Sequence, residues 1–123
     1  MKEFAYPVTV QFEDVDSYRI VHHTKLVAYL ERARVNFLAQ RGFEIRENTL
    51  ELVLYSLSMQ FKKPAQFLDA LMVCVGVKSV ESFRITLNYR ITRGKDLIAK
   101  AETDVAFVHP GTKEIMPVPE GLF

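Results

Sequence analysis

Two carboxylates and two imidazoles crowd into the stretch FEDVDSYRIVHHTK, residues 12–25: Asp14, Asp16, His22 and His23. Three kinds of chemistry suit such a set. Carboxylates and imidazoles can share a metal ion. An aspartate can act as general base or nucleophile toward a carbonyl. Aspartates on a turn can also accept backbone N–H bonds and do no chemistry. The metal reading is short of ligands: adjacent histidines diverge on a helix and face opposite sides of a strand, and His109 belongs to a distant turn. The carbonyl reading gains from the segment after the histidines. A helical pattern starts there, and a helix N-terminus carries unsatisfied N–H groups and partial positive charge. Such an end polarises a carbonyl or holds an oxyanion. Spacing alone leaves the reactive aspartate and the capped turn both open.

The elements that would position these groups are legible from periodicity. Phe4–Phe12 predicts a strand, with Val8, Val10 and Phe12 alternating with Thr9 and Gln11. The helix runs from about Thr24 to Arg41. Leu26, Tyr29, Leu30, Ala33, Phe37 and Leu38 follow its three- and four-residue steps, Thr24 is the candidate cap, and Gly42 the stop. A linker is expected around Glu44–Asn48. Beyond it, 52–63, 70–80, 82–92 and 97–108 read as strands rich in Val, Ile, Thr and aromatic residues. Short turn signals between them predict an antiparallel meander. The last eleven residues, KEIMPVPEGLF, carry two prolines and predict a short edge strand and a tail. One strand, one long amphipathic helix and then a run of strands predict an α+β fold in two layers, the sheet curling around the helix.

Composition sets outer limits. The 123 residues suit a single domain, 1–123, which buries roughly two-thirds of its unfolded surface. A formal net charge of +1 gives no bulk attraction to nucleic acid. Cys74 is the only cysteine, so no intrachain disulfide forms, and its place in LMVCVGV predicts a small buried hydrophobe. No apolar run approaches a membrane span and no signal peptide opens the chain, so the expected location is cytoplasmic.

The combination F-E-D-V-D-S-Y-R-I-V-H-H followed by Y-L-E-R-A-R resembles the start of the hotdog-fold acyl-CoA thioesterases. The similarity is to the 4-hydroxybenzoyl-CoA thioesterase type, with its short-chain acyl-CoA thioesterases of the Tol-Pal cluster. Asp14, Asp16, Ile20-Val21, His22-His23 and Glu31-Arg32-Ala33-Arg34 match that pattern, and F-K-K-P-A at 61–65 and Ala101-Glu102 extend it. The resemblance implies a curved antiparallel sheet wrapped around one long central helix. It implies hydrolysis of a CoA thioester to a carboxylic acid and free CoA. It also implies that Asp16 takes the catalytic position and that a backbone N–H near His23 polarises the carbonyl. No cofactor and no metal is implied. The partners implied are the acyl-CoA, or an acyl carrier protein offering the same pantetheine arm, and further copies of the chain as homodimer or homotetramer.

Other expectations are tied to single residues. Asp14 is expected to make a structural hydrogen bond, and His22 to be structural or pocket-lining. Lys62, Lys63, Arg90 and Arg93 are candidates for the CoA phosphates. Glu31, Arg32 and Arg34 are expected to form surface or interhelix ion pairs, and Phe61, Phe83, Tyr89 and Phe107 to pack in the core or on the sheet. The family pattern carries glycine after the aspartate, where this chain has Ser17-Tyr18-Arg19. That departure implies either another loop shape or side chains, Tyr18 and Arg19, that narrow the acyl pocket. Two rival activities remain on this reading: an acyl-thioester dehydratase or hydratase using His23 with a carboxylate, and an acyl-thioester-binding protein without turnover.

Overall fold

The computed structural model describes residues 3–43 and 50–123; the expected linker at Glu44–Asn48 lies outside them. The chain runs β1 (Phe4–Thr9), a 3-10 turn (Phe12–Asp14), α1 (His23–Gln40), β2 (Glu51–Phe61), β3 (Ala70–Val80), β4 (Ile85–Arg93), β5 (Asp96–Val108) and β6 (Ile115–Met116). Among the described residues the strands form one antiparallel sheet in the order β1-β3-β4-β5-β2, with β6 paired to the end of β5. Register slips at Leu54/Ser56, Val77/Ser79 and Ile91/Thr92 bend the long strands, because each extra residue increases local twist. The sheet curves around α1, and the fold is the α+β hotdog that the resemblance implied.

The helix forms where its apolar stripe requires. Leu26, Tyr29, Leu30, Ala33, Phe37 and Leu38 are all buried and meet Val73, Val75, Leu87, Tyr89 and Ile91 in one core. Gly42 ends the helix at φ +95°, a left-handed conformation that suits glycine. The tail also joins the core: Leu122 is buried, and the Phe123 ring lies 6.0 Å from that of Phe37.

Several expectations need correction. The meander holds only for β3-β4-β5. β2 pairs with β5 at the far edge, and β1 takes the place beside β3. The connection 62–69 is longer than the two to five residues of an ordinary hairpin loop, so β2 and β3 are free to separate. The first strand stops at Thr9 rather than Phe12, because the Asp14 carboxylate accepts the Gln11 N–H at 3.1 Å and turns the chain. Phe12 is left 75 % exposed. His22, not Thr24, caps the helix. The fourth strand starts at Ile85, after a turn closed by Glu81 N–H to the Arg84 carbonyl at 2.8 Å. Phe61 and Phe83 are half-exposed, whereas Tyr89 and Phe107 are buried. Cys74 is a half-buried free thiol. Arg34 makes the expected ion pair, its Nη2 lying 3.9 Å from Glu31 Oε1, but it is not a surface residue. It is buried, and its Nη1 donates to the Tyr89 hydroxyl at 3.3 Å, which in turn bonds Thr103 Oγ1 at 2.7 Å.

Candidate active site

The segment 14–22 is a closed excursion of the chain. At its base Val15 and Val21 form an antiparallel bridge, and the His22 N–H donates to the Asp14 carbonyl at 3.0 Å. Asp14 clasps this base. Its Oδ2 accepts the Tyr29 hydroxyl at 2.7 Å as well as the Gln11 N–H. Burial and then the Asp14 carboxylate push the Tyr29 phenol well above its ordinary range, so the hydroxyl remains the donor. Sequence reasoning found Tyr29 as core but missed this bond. The available signal was that a buried tyrosine hydroxyl needs a partner.

At the tip, Asp16 N–H donates to the Ile20 carbonyl and Arg19 N–H to the Asp16 carbonyl, both at 2.9 Å. Tyr18 N–H donates to Asp16 Oδ1 at 2.8 Å. Arg19 sits at φ +67°. A non-glycine residue thus adopts the left-handed turn for which the family pattern uses glycine, at a cost of about 1 kcal/mol.

A second loop holds the first. Val21 N–H donates to the Ala65 carbonyl at 2.8 Å, and Ile20 bridges to Gln66. Arg93 braces that loop: Nη1 donates to Asp69 Oδ2 at 2.7 Å and to the Pro64 carbonyl at 3.1 Å, while Nη2 reaches Asp96 at 3.4 Å. Burial works to raise the Asp69 carboxyl, but the Gln66 N–H and Arg93 together hold it below its usual range. Asp96 is lowered chiefly by its hydrogen bond from Lys63, 2.9 Å away.

Between the two loops and the helix end lies a cavity of ≈ 460 Å³. Asp16, His22, His23, Lys62 and Lys63 supply its polar wall; Ile20, Leu26, Phe61 and Pro64 supply much of the apolar one. Sequence reasoning did not single out these last as pocket residues, since they carry no chemical signal. The His22 and His23 rings lie 4.2 Å apart, tilted by 31°, and Phe61 meets His23 edge-on at 6.3 Å. Among the described residues no hydrogen bond joins His23 to Asp16. His109 caps its own turn, its Nδ1 accepting from Gly111 and Thr112.

The first-turn N–H groups of α1 are unequally engaged. Lys25 and Leu26 donate to the His22 carbonyl at 2.9 and 3.3 Å, and Thr24 donates to His22 Nδ1 at 3.2 Å. The His23 N–H has no acceptor among the described residues. An open donor and a half-buried carboxylate therefore border one cavity.

The remaining candidates lie elsewhere. Tyr18, 83 % exposed, and Arg19 do not line this cavity within one chain. Arg90 pairs with Glu3 at 2.6 Å in a separate polar depression on the sheet with Lys100 and Glu102. Arg93 is taken up by its brace.

Residues 10–122 match the thioesterase-like superfamily. The chain belongs to that family. It is 30 % identical over 121 residues to an acyl-CoA thioesterase, YbgC, of Haemophilus influenzae, covering 95 % of this chain and 89 % of the other. It is 26 % identical to a 1,4-dihydroxy-2-naphthoyl-CoA hydrolase of Thermosynechococcus vestitus, covering 95 % and 84 %. The crystal structure of the protein AQ1494 of Aquifex aeolicus superposes with a TM-score of 0.89 at 32 % identity, covering 95 % and 94 %. The likeness of this thioesterase-like chain thus extends over most of each of these relatives. Among its described residues no helix is long and apolar enough to cross a membrane.

Proposed function

We propose that this thioesterase hydrolyses acyl-CoA thioesters to a carboxylic acid and free CoA, with Asp16 and the His23 N–H as its working groups. The observation that carries the residue assignment is that His23, whose N–H has no acceptor among the described residues, lines the same cavity as Asp16. The thioester carbonyl oxygen accepts from His23 N–H, which is aided by the positive end of the helix. Asp16 then acts by one of two routes. It takes a proton from the attacking water, or it attacks the carbonyl itself to form an acyl anhydride that water hydrolyses. In both, the C–S bond breaks and the thiolate takes a proton to leave as CoA. Lys62 and Lys63 stand at the cavity rim, suited to the anionic parts of CoA. His22, Tyr18 and Arg19 complete the substrate side, the last two from the exposed tip of the loop.

A second copy is part of this reading. β2 is eleven residues long, and Leu54, Tyr55, Leu57 and Phe61 on it are exposed. A long apolar edge strand is an association surface, and Phe61 also lines the cavity. The working unit is a homodimer, pairing further into a homotetramer, of a single hotdog domain in the cytoplasm. It belongs to the 4-hydroxybenzoyl-CoA thioesterase type, with acyl carrier protein as a second carrier of the substrate. Thiol release measured over aliphatic, aromatic and hydroxylated acyl-CoAs, beside hydration of crotonyl-CoA, tests the activity. Hydration without thiol release would sink it. Sedimentation at micromolar concentration tests the dimer, and a fully active monomer refutes it.

A further inference from the structure

His22 occupies an unusual post. It caps α1 through a ring nitrogen, and that choice of atom makes the cap depend on protonation. Nδ1 accepts the Thr24 N–H at 3.2 Å, which only an imidazole unprotonated at Nδ1 can do. Thr24 Oγ1 lies 2.7 Å from the same nitrogen. In the neutral ring the proton therefore sits on Nε2, and Nδ1 takes both the N–H and the hydroxyl. Adding a proton to Nδ1 reverses the second bond, so that the ring donates to Oγ1. It also sets an N–H against the Thr24 N–H, which loses its acceptor.

We infer that His22 is a pH-sensitive positioning residue, whose neutral imidazole holds the helix end so that the His23 N–H alone is presented to the thioester. Three adjoining observations support this. The His22 carbonyl already accepts from Lys25 and Leu26, so a single residue organises the first turn. Its own N–H is fixed on the Asp14 carbonyl, which ties the cap to the base of the Asp16 loop. Its ring lies against that of His23, 4.2 Å away and tilted, the residue whose N–H has no acceptor among the described residues. Protonation therefore disturbs the carbonyl site from both sides. It frees a competing donor at Thr24 and places positive charge at the positive end of a helix, where cations are disfavoured.

The charged and titratable groups facing His22 come from every side of the cavity. They are Asp16 from the loop, His23 from the helix, and Lys62 and Lys63 from the segment after β2. Histidine is the side chain type that changes charge in the physiological range.

This inference rests on the proposed thioester chemistry, and two measurements keep them apart. The first is kinetic: the ratio of kcat/KM at pH 8 to that at pH 5.5, on wild type and on His22→Asn. Asparagine caps helices with a carbonyl that does not titrate in this range. The wild-type ratio should exceed the variant's about fivefold, the rate equivalent of one lost cap. The second is NMR on the wild-type protein, following the His22 ring nitrogens and the Thr24 amide through the same pH range. The ring should be the Nε2–H tautomer at high pH, and the Thr24 amide should shift with the His22 titration. Equal ratios overturn the inference even if Thr24 titrates. A Thr24 amide indifferent to His22 overturns it whatever the ratios. If wild type releases no thiol from any acyl-CoA, the proposed function fails, while the amide titration still decides the cap.

Discussion

Asp14 is 4 % exposed, and its carboxylate is occupied by a tyrosine hydroxyl and a backbone N–H. Asp16, two residues later, is half-buried in the wall of a cavity, with Oδ1 taken by one N–H of its own turn. The two acids share a loop and a residue type, yet the fold gives them different surroundings, and the proposed function gives them different work. Asp14 closes the base of the excursion and fixes it to α1. Asp16 is carried at the tip with capacity to spare. A buried carboxylate held by a buried hydroxyl and a backbone N–H is a fastener, and a partly solvated one in a cavity wall is the one the proposed function uses.

The largest expected effect breaks this comparison at its reactive end. Asp16→Asn keeps the shape and removes the base or nucleophile, so kcat should fall at least ~100-fold while the melting temperature stays near that of wild type. A variant hydrolysing the best acyl-CoA at the wild-type rate would show that Asp16 is a second fastener. At the other end, Asp14→Ala leaves the Tyr29 hydroxyl buried without an acceptor. It should cost about 1–3 kcal/mol of stability, read by urea denaturation. Adding Tyr29→Phe removes the stranded partner, so the double variant should lose less than the sum of the two singles. Strict additivity would mean that the 2.7 Å bond contributes nothing.

A smaller effect tests the second loop, on which both aspartates depend. The Asp69 carboxyl is held below its usual range. Its contribution is therefore complete above the unfolded value, about 3.9, and is lost as pH falls through the lower folded value. Arg93→Met should remove the share of that dependence that the guanidinium supplies and leave the share of the Gln66 N–H. Amide exchange at Val21 and Val10, which donate to Ala65 and Asp69, should quicken on acidification in wild type and be already fast in the variant. Unchanged exchange in the variant would show that the brace does not position the loop.

The smallest effect separates the two neighbours of Asp16. Arg19→Gly relieves a backbone at φ +67° and should stabilise by up to ~1 kcal/mol. Tyr18→Gly relieves nothing and should destabilise slightly through the unfolded chain. The double-glycine variant should accept a wider range of acyl groups while remaining dependent on Asp16. An unchanged ratio of specificity constants for bulky and short acyl-CoAs, in a folded dimer, would place both side chains outside the acyl pocket.

Local pattern was enough for the elements and for the neighbourhood of the site. The buried stripe of α1 was legible because a 3.6-residue period shows which side chains share a face. The strand of 70–80 was legible from its β-branched run and flanking turn signals, and the acid–histidine stretch from its place ahead of the helix. The rest needed the folded chain. Which edge β2 joins depends on pairing across distant segments, to which local pattern is blind. That Arg34 is buried depends on Tyr89, fifty-five residues away, whereas its helical neighbours alone suggest a surface ion pair. The division of labour between Asp14 and Asp16 follows from Tyr29 reaching one and not the other. Arg93 is a brace rather than a free cation because 62–69 folds back against the turn after β4. Period and composition act over a few residues. Contacts that join residues far apart in the chain exist only once the sheet has closed around its helix.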